Sequence, residues 1–356
     1  MTRRARAVLA GLVFAAAGAA AQDPNTMRAH FINVGQGDAT LLEFSCGVVM
    51  IDAGGQGSRD TSALVAYLQN FFAGRPELHD TIRAVFITHN HVDHTRGLRA
   101  VIRHFHVQRL IENGQRGKNP AHDPGDQALL AGKNAPGHPT NWIDLDESEI
   151  AQTEEGLTGS DIDPVSCSGT DPEIRVLSAD YADNPGWTAG TFNDKNNHSL
   201  VIRVDFGHAS FLFTGDLETE AIGTLLQNYA NSAVLDVDVW HVGHHGSYNG
   251  TTSALLARIV HPEIAVISMG SCEDTGQWTA RAYGHPRKPA IDELKWAITR
   301  HRPARRVYVA TAVNNFYATT MRDAIYATGW DGTIVIRAGA DGSYVVTTEA
   351  PPVPAC

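Results

Sequence analysis

Apolar positions along the chain switch between alternation with period two and spacing with the period of a helix, and the switching marks out the elements. Arg28–Val34 alternates, with His30 and Asn33 among Ala29, Phe31, Ile32 and Val34. With Thr40–Phe44 and Val48–Ile51 it predicts three strands joined by glycine turns. Leu64, Leu68, Phe71 and Phe72 fall at i, i+4, i+7 and i+8, one face of a helix that Ser58 or Asp60 can cap. Ile82–Ile87 predicts the next strand, Leu98, Val101, Ile102 and Phe105 a further helix, and Val107–Ile111 another strand.

From Gln115 to about Pro172 the periodicity disappears and Gly, Asn, Asp, Pro and Ser dominate. So long an irregular stretch in a compact domain is functional or mobile. It is expected either to reach over a site as a lid or to decorate the surface. Order returns with strands at Ile174–Leu177, Leu200–Asp205 and Ser210–Thr214 and a helix at Glu218–Tyr229. Strands at Val237–His241 and Ala265–Ser268, a helix at Ile291–Arg300, and strands at Arg306–Ala310, Gly332–Arg337 and Tyr344–Thr348 complete the chain. Strands followed by strand–helix alternation, twice over, predict an α/β protein built as a four-layer αβ/βα sandwich with an irregular insertion.

The first residues do not belong to that core. Arg3, Arg4 and Arg6 precede an apolar run at Ala7–Ala17 and the small residues Ala19-Ala20-Ala21, the pattern of a signal peptide covering residues 1–21. The run is too short to span a bilayer. The expected product is a secreted or periplasmic protein with one domain over 22–356 and no membrane insertion. Loss of three arginines would take the net charge from −11 to about −14. Such acidity argues against firm binding of long nucleic acid, which a basic face normally supports, and allows at most weak contact with it. Four cysteines (Cys46, Cys167, Cys272 and Cys356) in an oxidising compartment predict at least one disulfide. Three pairings are open, Cys46 and Cys356 are the plausible staples, and their scatter excludes a cysteine-based zinc site.

The sharpest chemical signal is Thr88-His89-Asn90-His91-Val92-Asp93-His94, directly after the apolar Ala84-Val85-Phe86-Ile87. Imidazole nitrogen and carboxylate oxygen suit zinc or manganese better than calcium or magnesium. Four ligands so close in sequence cannot all wrap one ion. The easier geometry sends His89 and His91 to one ion, Asp93 and His94 to a second. Two distal segments complete the picture. Phe211–Thr214 is an apolar strand leading through Gly215 to Asp216, which is either a ligand or the cap of the next helix. His244 and His245 follow a strand through Gly243; on an extended segment neighbours point opposite ways, so one of the two ligates.

These strings, with V-G-Q-G-D at Val34–Asp38, I-D-A-G-G at Ile51–Gly55, N-H-S-L-V at Asn197–Val201, T-G-D at Thr214–Asp216, H-H-G-S at His244–Ser247 and Tyr283-Gly284-His285-Pro286, resemble the metallo-β-lactamase fold superfamily. Within it they look most like the soluble hydrolase domain of the ComEC competence proteins, and choline-phosphate esterases of bacterial surfaces share much of the pattern. The resemblance runs from about Met27 to Val346, weakly at 115–172. It implies two divalent ions, zinc first and manganese second, with Asp216 bridging them. His244 is expected as third ligand of the Asp93/His94 ion, leaving His245 to support a ligand or to meet substrate, with the reverse assignment open. For the His89/His91 ion, His198 or Asn197 is the expected third ligand. Asp52 and Asp38 are expected to support ligands by hydrogen bonds. His285 is expected to protonate a leaving oxygen or bind phosphate. Asp93, His245 and His285 are thus the candidate catalytic residues.

A metal pair lowers the pKa of bound water toward neutrality, and a metal-bridging hydroxide then serves as nucleophile. The resemblance favours phosphodiester cleavage, by a nuclease-like enzyme or a phosphoesterase of surface polymers, on a small-molecule or polymer substrate. A lactonase or β-lactamase activity is the alternative, and a non-catalytic binding protein on the same fold is a third reading.

Overall fold

A computed structural model describes residues 22–117, 119–136, 141–256, 262–353 and 356. The expected signal peptide at 1–21 lies outside the described residues. Burial on both faces accounts for the continuous apolar runs of the first half. In the strand Ala84–Phe86 the side chains of Ala84 and Phe86 join one apolar cluster, and Val85 joins another on the opposite face. Val49 and Ile51 face the first cluster, whereas Val48 and Met50 face the second. Both faces of this sheet are therefore covered, as continuous apolar strands require.

The larger sheet has eight strands in the order Tyr344–Thr348, Ile334–Gly339, Thr26–Phe31, Ala39–Glu43, Val48–Ala53, Ala84–Phe86, Arg109–Glu112 and Asn141–Asp144. Its first five strands pair antiparallel and the remaining pairings are parallel. The smaller sheet orders six strands as Ile325–Ala327, Ile264–Ile267, Val239–His241, Ala209–Phe213, Val201–Phe206 and Pro172–Ser178. The two sheets face each other across one apolar layer, where Phe31 stacks on Phe213 at 6.2 Å and Phe44 lies 6.2 Å from Phe206. Helices Ser58–Gly74 and Leu98–His104 bury Leu64, Leu68, Phe72, Val101 and Ile102 against the outer face of the larger sheet. Helices Thr219–Asn228 and Lys288–Ala297 bury Ile222, Leu225, Ile291 and Leu294 on the other side. The four-layer αβ/βα sandwich is present.

Several boundaries differ from the expectation. The run Ile82–Ile87 divides into Thr81–Ile82, which pairs with His106–Val107, and Ala84–Phe86 in the main sheet. The single strand expected at Arg306–Ala310 is one arm of a hairpin, His301–Ala312 with Asn315–Asp323. The stretch expected to be irregular contains a helix at Pro124–Lys133 and the edge strand Asn141–Asp144. Asp123 caps that helix by accepting from the amides of Gly125 and Asp126. Disulfides join Cys46 to Cys167, across 121 residues, and Cys272 to Cys356. Among the described residues no helix is long and apolar enough to cross a membrane.

Candidate metal centre

The metal loop leaves the larger sheet after Phe86 and turns into one helical turn, Val92–Thr95. Its backbone is pressed against both glycine motifs. The carbonyl of Asp93 accepts from the amides of Asp38 at 3.0 Å and Gly55 at 3.2 Å. A Cβ at Gly54 would stand 1.6 Å from that carbonyl, so no other residue fits there. On the far side the insertion closes in: a Cβ at Gly125 would stand 1.6 Å from the Asn90 carbonyl, and Asn90 Nδ2 donates to the Asp126 carboxylate. Asp126 and Asp123 in turn face the Lys195 ammonium at 3.4 and 2.9 Å. The insertion is therefore part of the site's frame, with Asp123, Pro124 and Gly125 lining the cavity above it.

Within the loop, His89 Nε2 and His91 Nδ1 approach to 3.0 Å. His94 Nε2 lies 3.4 Å and His89 Nε2 4.0 Å from Asp216 Oδ2. From the smaller sheet, His245 Nε2 comes within 3.3 Å of Asp93 and 3.5 Å of Asp216. Two overlapping triads result, His89/His94/Asp216 and Asp93/His94/His245, each with ligand atoms within 4.8 Å of one another. His94 Nε2, His245 Nε2 and Asp216 Oδ1 are buried without a hydrogen-bond partner. Buried polar atoms are normally paired, and three converging ones of this chemistry fit a divalent cation.

Each ring is held from behind. His94 Nδ1 is 2.8 Å from Asp52, which also accepts from the amide and hydroxyl of Thr88, both at 2.8 Å. Asp52 adopts φ +57°, a left-handed conformation that costs a non-glycine residue energy and persists only where its contacts enforce it. His245 Nδ1 is anchored to the Ser268 carbonyl at 2.8 Å. Asp38 lies 3.2 Å from His241, which also contacts the Ser268 hydroxyl at 2.9 Å. His241, at the end of the strand Val239–His241, thus belongs to the support of the site.

Electrostatics follow the pairing. Burial pushes His94 down, but the Asp216 and Asp52 carboxylates outweigh it and hold the ring well above its ordinary range. Burial likewise opposes protonation of His245, yet Asp216 and Asp93 carry it up to about 9. Asp216 is held well below the usual carboxylate range, since His245 and His94 overcome its burial. Burial, with His94 and His91 nearby, keeps His89 neutral. A cation bound here must displace the protons of His94 and His245, so affinity falls as pH drops.

Two expectations are corrected. His198 does not face the cluster: its Nδ1 is 2.5 Å from Asp180, its Nε2 2.8 Å from the Phe192 carbonyl, and Trp187 and Phe192 enclose its ring. Asn197 is also engaged elsewhere, accepting from the Glu218 amide and donating to the Thr191 carbonyl. The residue of that segment that lines the cavity is Asn196, whose Oδ1 is buried without a partner. Likewise His245, not His244, sits with Asp93 and Asp216, while His244 faces Glu218 at 3.4 Å and Asn196. The rule of alternate directions fails because the segment is not extended: His244, His245 and Gly246 have φ of +49°, +53° and +75°. That left-handed turn swings His245 inward.

The cavity above the cluster has a volume of about 410 Å3. His285 forms part of its wall, stacked on His245 at 6.2 Å and on Tyr283 at 5.5 Å. Burial and the neighbouring His245 and His244 keep His285 well below its ordinary range, so it enters as a neutral ring and not as a standing acid.

A histidine–aspartate cluster at the meeting edge of two facing sheets defines a metal-binding α/β sandwich. Residues 32–270 match the family model of the metallo-β-lactamase superfamily, and the chain belongs to that superfamily and has its fold. ComE operon protein 3 of Bacillus subtilis (strain 168) is 26% identical over 277 residues, covering 74% of this chain and 30% of that protein. Competence protein ComA of Neisseria gonorrhoeae is 40% identical over 102 residues, 29% of this chain and 13% of that protein. The chain therefore spans under a third of the length of these relatives. Among solved structures, the metallo-β-lactamase fold protein YhfI from Bacillus subtilis aligns over 90% of this chain and 100% of its own, at 10% identity and a TM-score of 0.41.

Proposed function

We propose that this protein is a secreted or periplasmic hydrolase with two divalent ions, zinc or manganese, that cleaves phosphodiesters. The observation that carries the reading is the convergence of His94 Nε2, His245 Nε2 and Asp216 Oδ1, all unpartnered, near the floor of one cavity. His89, His91 and Asp216 would hold one side of the pair, and Asp93, His94, His245 and Asp216 the other. When bound, the ions supply Lewis acidity and a nucleophile at neutral pH. The chain's own residues orient and exclude. Asp52 and Ser268 fix the tautomers of His94 and His245 by occupying their second nitrogens. Neutral His285, whose Nδ1 faces Gln36 Nε2 at 3.5 Å, has its Nε2 left to meet an oxygen in the cavity.

Phosphodiesters are favoured over β-lactams by the ComEC-like motif set. Export is supported by two disulfides, which persist in oxidising compartments. The acidic balance, −11 overall, favours small diesters or weakly held nucleic acid over tightly bound duplex.

The test is a panel on purified protein loaded with zinc or manganese: bis-p-nitrophenyl phosphate, single- and double-stranded DNA, a lactone and nitrocefin. Turnover of the diester is expected under one of the two metals. Efficient nitrocefin or lactone turnover with no diester cleavage would overturn the substrate class.

A further inference from the structure

The cavity has an aromatic wall that the metal chemistry does not require. From His245 the rings run outward through His285 to Tyr283, stacked at an interplanar angle of 16°, and then to Trp278, 6.3 Å further on. Trp278 lines the cavity yet is 63% exposed, so its indole packs little and presents a free face. Its backbone is at φ +62°, a turn conformation uncommon for a bulky residue. The spacing along the wall is that of offset aromatic pairs. Among the described lining residues the single arginine or lysine is Arg96, pinned by its Nε to the Gly55 carbonyl at 2.9 Å. Of the lining carboxylates, Asp93 and Asp216 belong to the cluster and Asp123 is paired with Lys195. The outer cavity therefore suits an anionic ester carrying a planar ring, and Arg96 disfavours a quaternary ammonium there.

We infer that Trp278 and Tyr283 form a stacking shelf for a nucleobase, making nucleotidyl diesters the preferred substrates. This rests on the phosphodiesterase reading for its turnover, though not for its binding. An exposed shelf of this kind tolerates any base, because each has a π-face, and stacking contributes about 1–3 kcal/mol per base.

The experiment uses the full chain loaded with zinc or manganese and three diesters with one leaving group: the p-nitrophenyl esters of thymidine 5′-monophosphate, methyl phosphate and phosphocholine. The nucleotide ester is expected to exceed the methyl ester in kcat/KM by at least tenfold. Trp278→Ala should cut that ratio by about 5- to 100-fold, in line with lost stacking, and Trp278→Phe should keep most of it. Calorimetric titration with thymidine 5′-monophosphate should show weakening in Trp278→Ala and little change in Trp278→Phe. If no diester is cleaved but the nucleotide binds in this Trp278-dependent way, the shelf stands and the phosphodiesterase reading falls. A ratio unaffected by Trp278→Ala, a Trp278-dependent preference for the choline ester, or nucleotide binding absent or indifferent to Trp278 would overturn the shelf.

Discussion

The ring of His94 is held between two carboxylates, with Asp52 at 2.8 Å from Nδ1 behind it and Asp216 at 3.4 Å from Nε2 in front. Only the front nitrogen is left for a ligand role. Asp52→Ala should therefore weaken metal binding by about 10- to 100-fold without removing a ligand, the usual loss when a ligand's supporting carboxylate is deleted. Competition with a chelator measures it, and an affinity equal to wild type would show that Asp52 serves only the backbone of Thr88.

Asp216→Asn should reduce metal content more than His89→Ala, because Asp216 faces His89, His94 and His245 together. Elemental analysis after reconstitution with excess zinc should give about two ions per chain for wild type and at most one for Asp216→Asn. Full occupancy in the variant would mean that the aspartate is not shared between the sites.

Gly125→Ala tests whether the insertion frames the site. Its new methyl would enter the Asn90 carbonyl at 1.6 Å, so either the helix Pro124–Lys133 or the metal loop must move. We expect retained secondary structure by circular dichroism with metal content and turnover both reduced at least tenfold. Wild-type values would show that the insertion yields freely.

Glu147 gives a pH test remote from the metals. Burial raises its pKa to about 7 against hydrogen bonds from the Ala179 amide, Ser178 and Asn228. A carboxylate raised in the folded state binds protons there that the unfolded chain has released, so stability falls as pH climbs from about 4.5 to 7. Glu147→Gln removes that penalty. It should add about 1–2 kcal/mol at pH 8, after discounting for partial exposure, and close to nothing near pH 4. Urea unfolding at the two pH values measures this; equal shifts at both would exclude the titration.

The metal loop was readable because its six positions are contiguous, and Asp52 because its motif precedes a predictable turn. What escaped reading depends on backbone direction and distant partners. Nothing in His244-His245 announces two successive left-handed residues, so the choice between them fell the wrong way. His198 is claimed by Asp180 and the Phe192 carbonyl, groups whose proximity only the folded chain shows. In the insertion, the proline, glycine and asparagine around it hid the apolar stripe of the helix Pro124–Lys133 and its Asp123 cap. The second hairpin arm, Asn315–Asp323, is half exposed and carries too little apolar alternation to stand out. Trp278 belongs to no motif at all, and its place in the cavity comes from the chain path between Ser268 and Tyr283.

The centre draws Asp93 and His94 from the end of one sheet and Asp216 and His245 from the end of the other. An ion held among them is consequently a non-covalent cross-link between the halves of the sandwich, of which the unfolded chain keeps only the contiguous His89–His94 segment. Mass action then ties the melting point to the supply of metal: above saturation, each tenfold rise in free ion should raise the unfolding free energy by about 1.4 kcal/mol per site. In a compartment where free zinc varies, the fold's resistance to unfolding would vary with it.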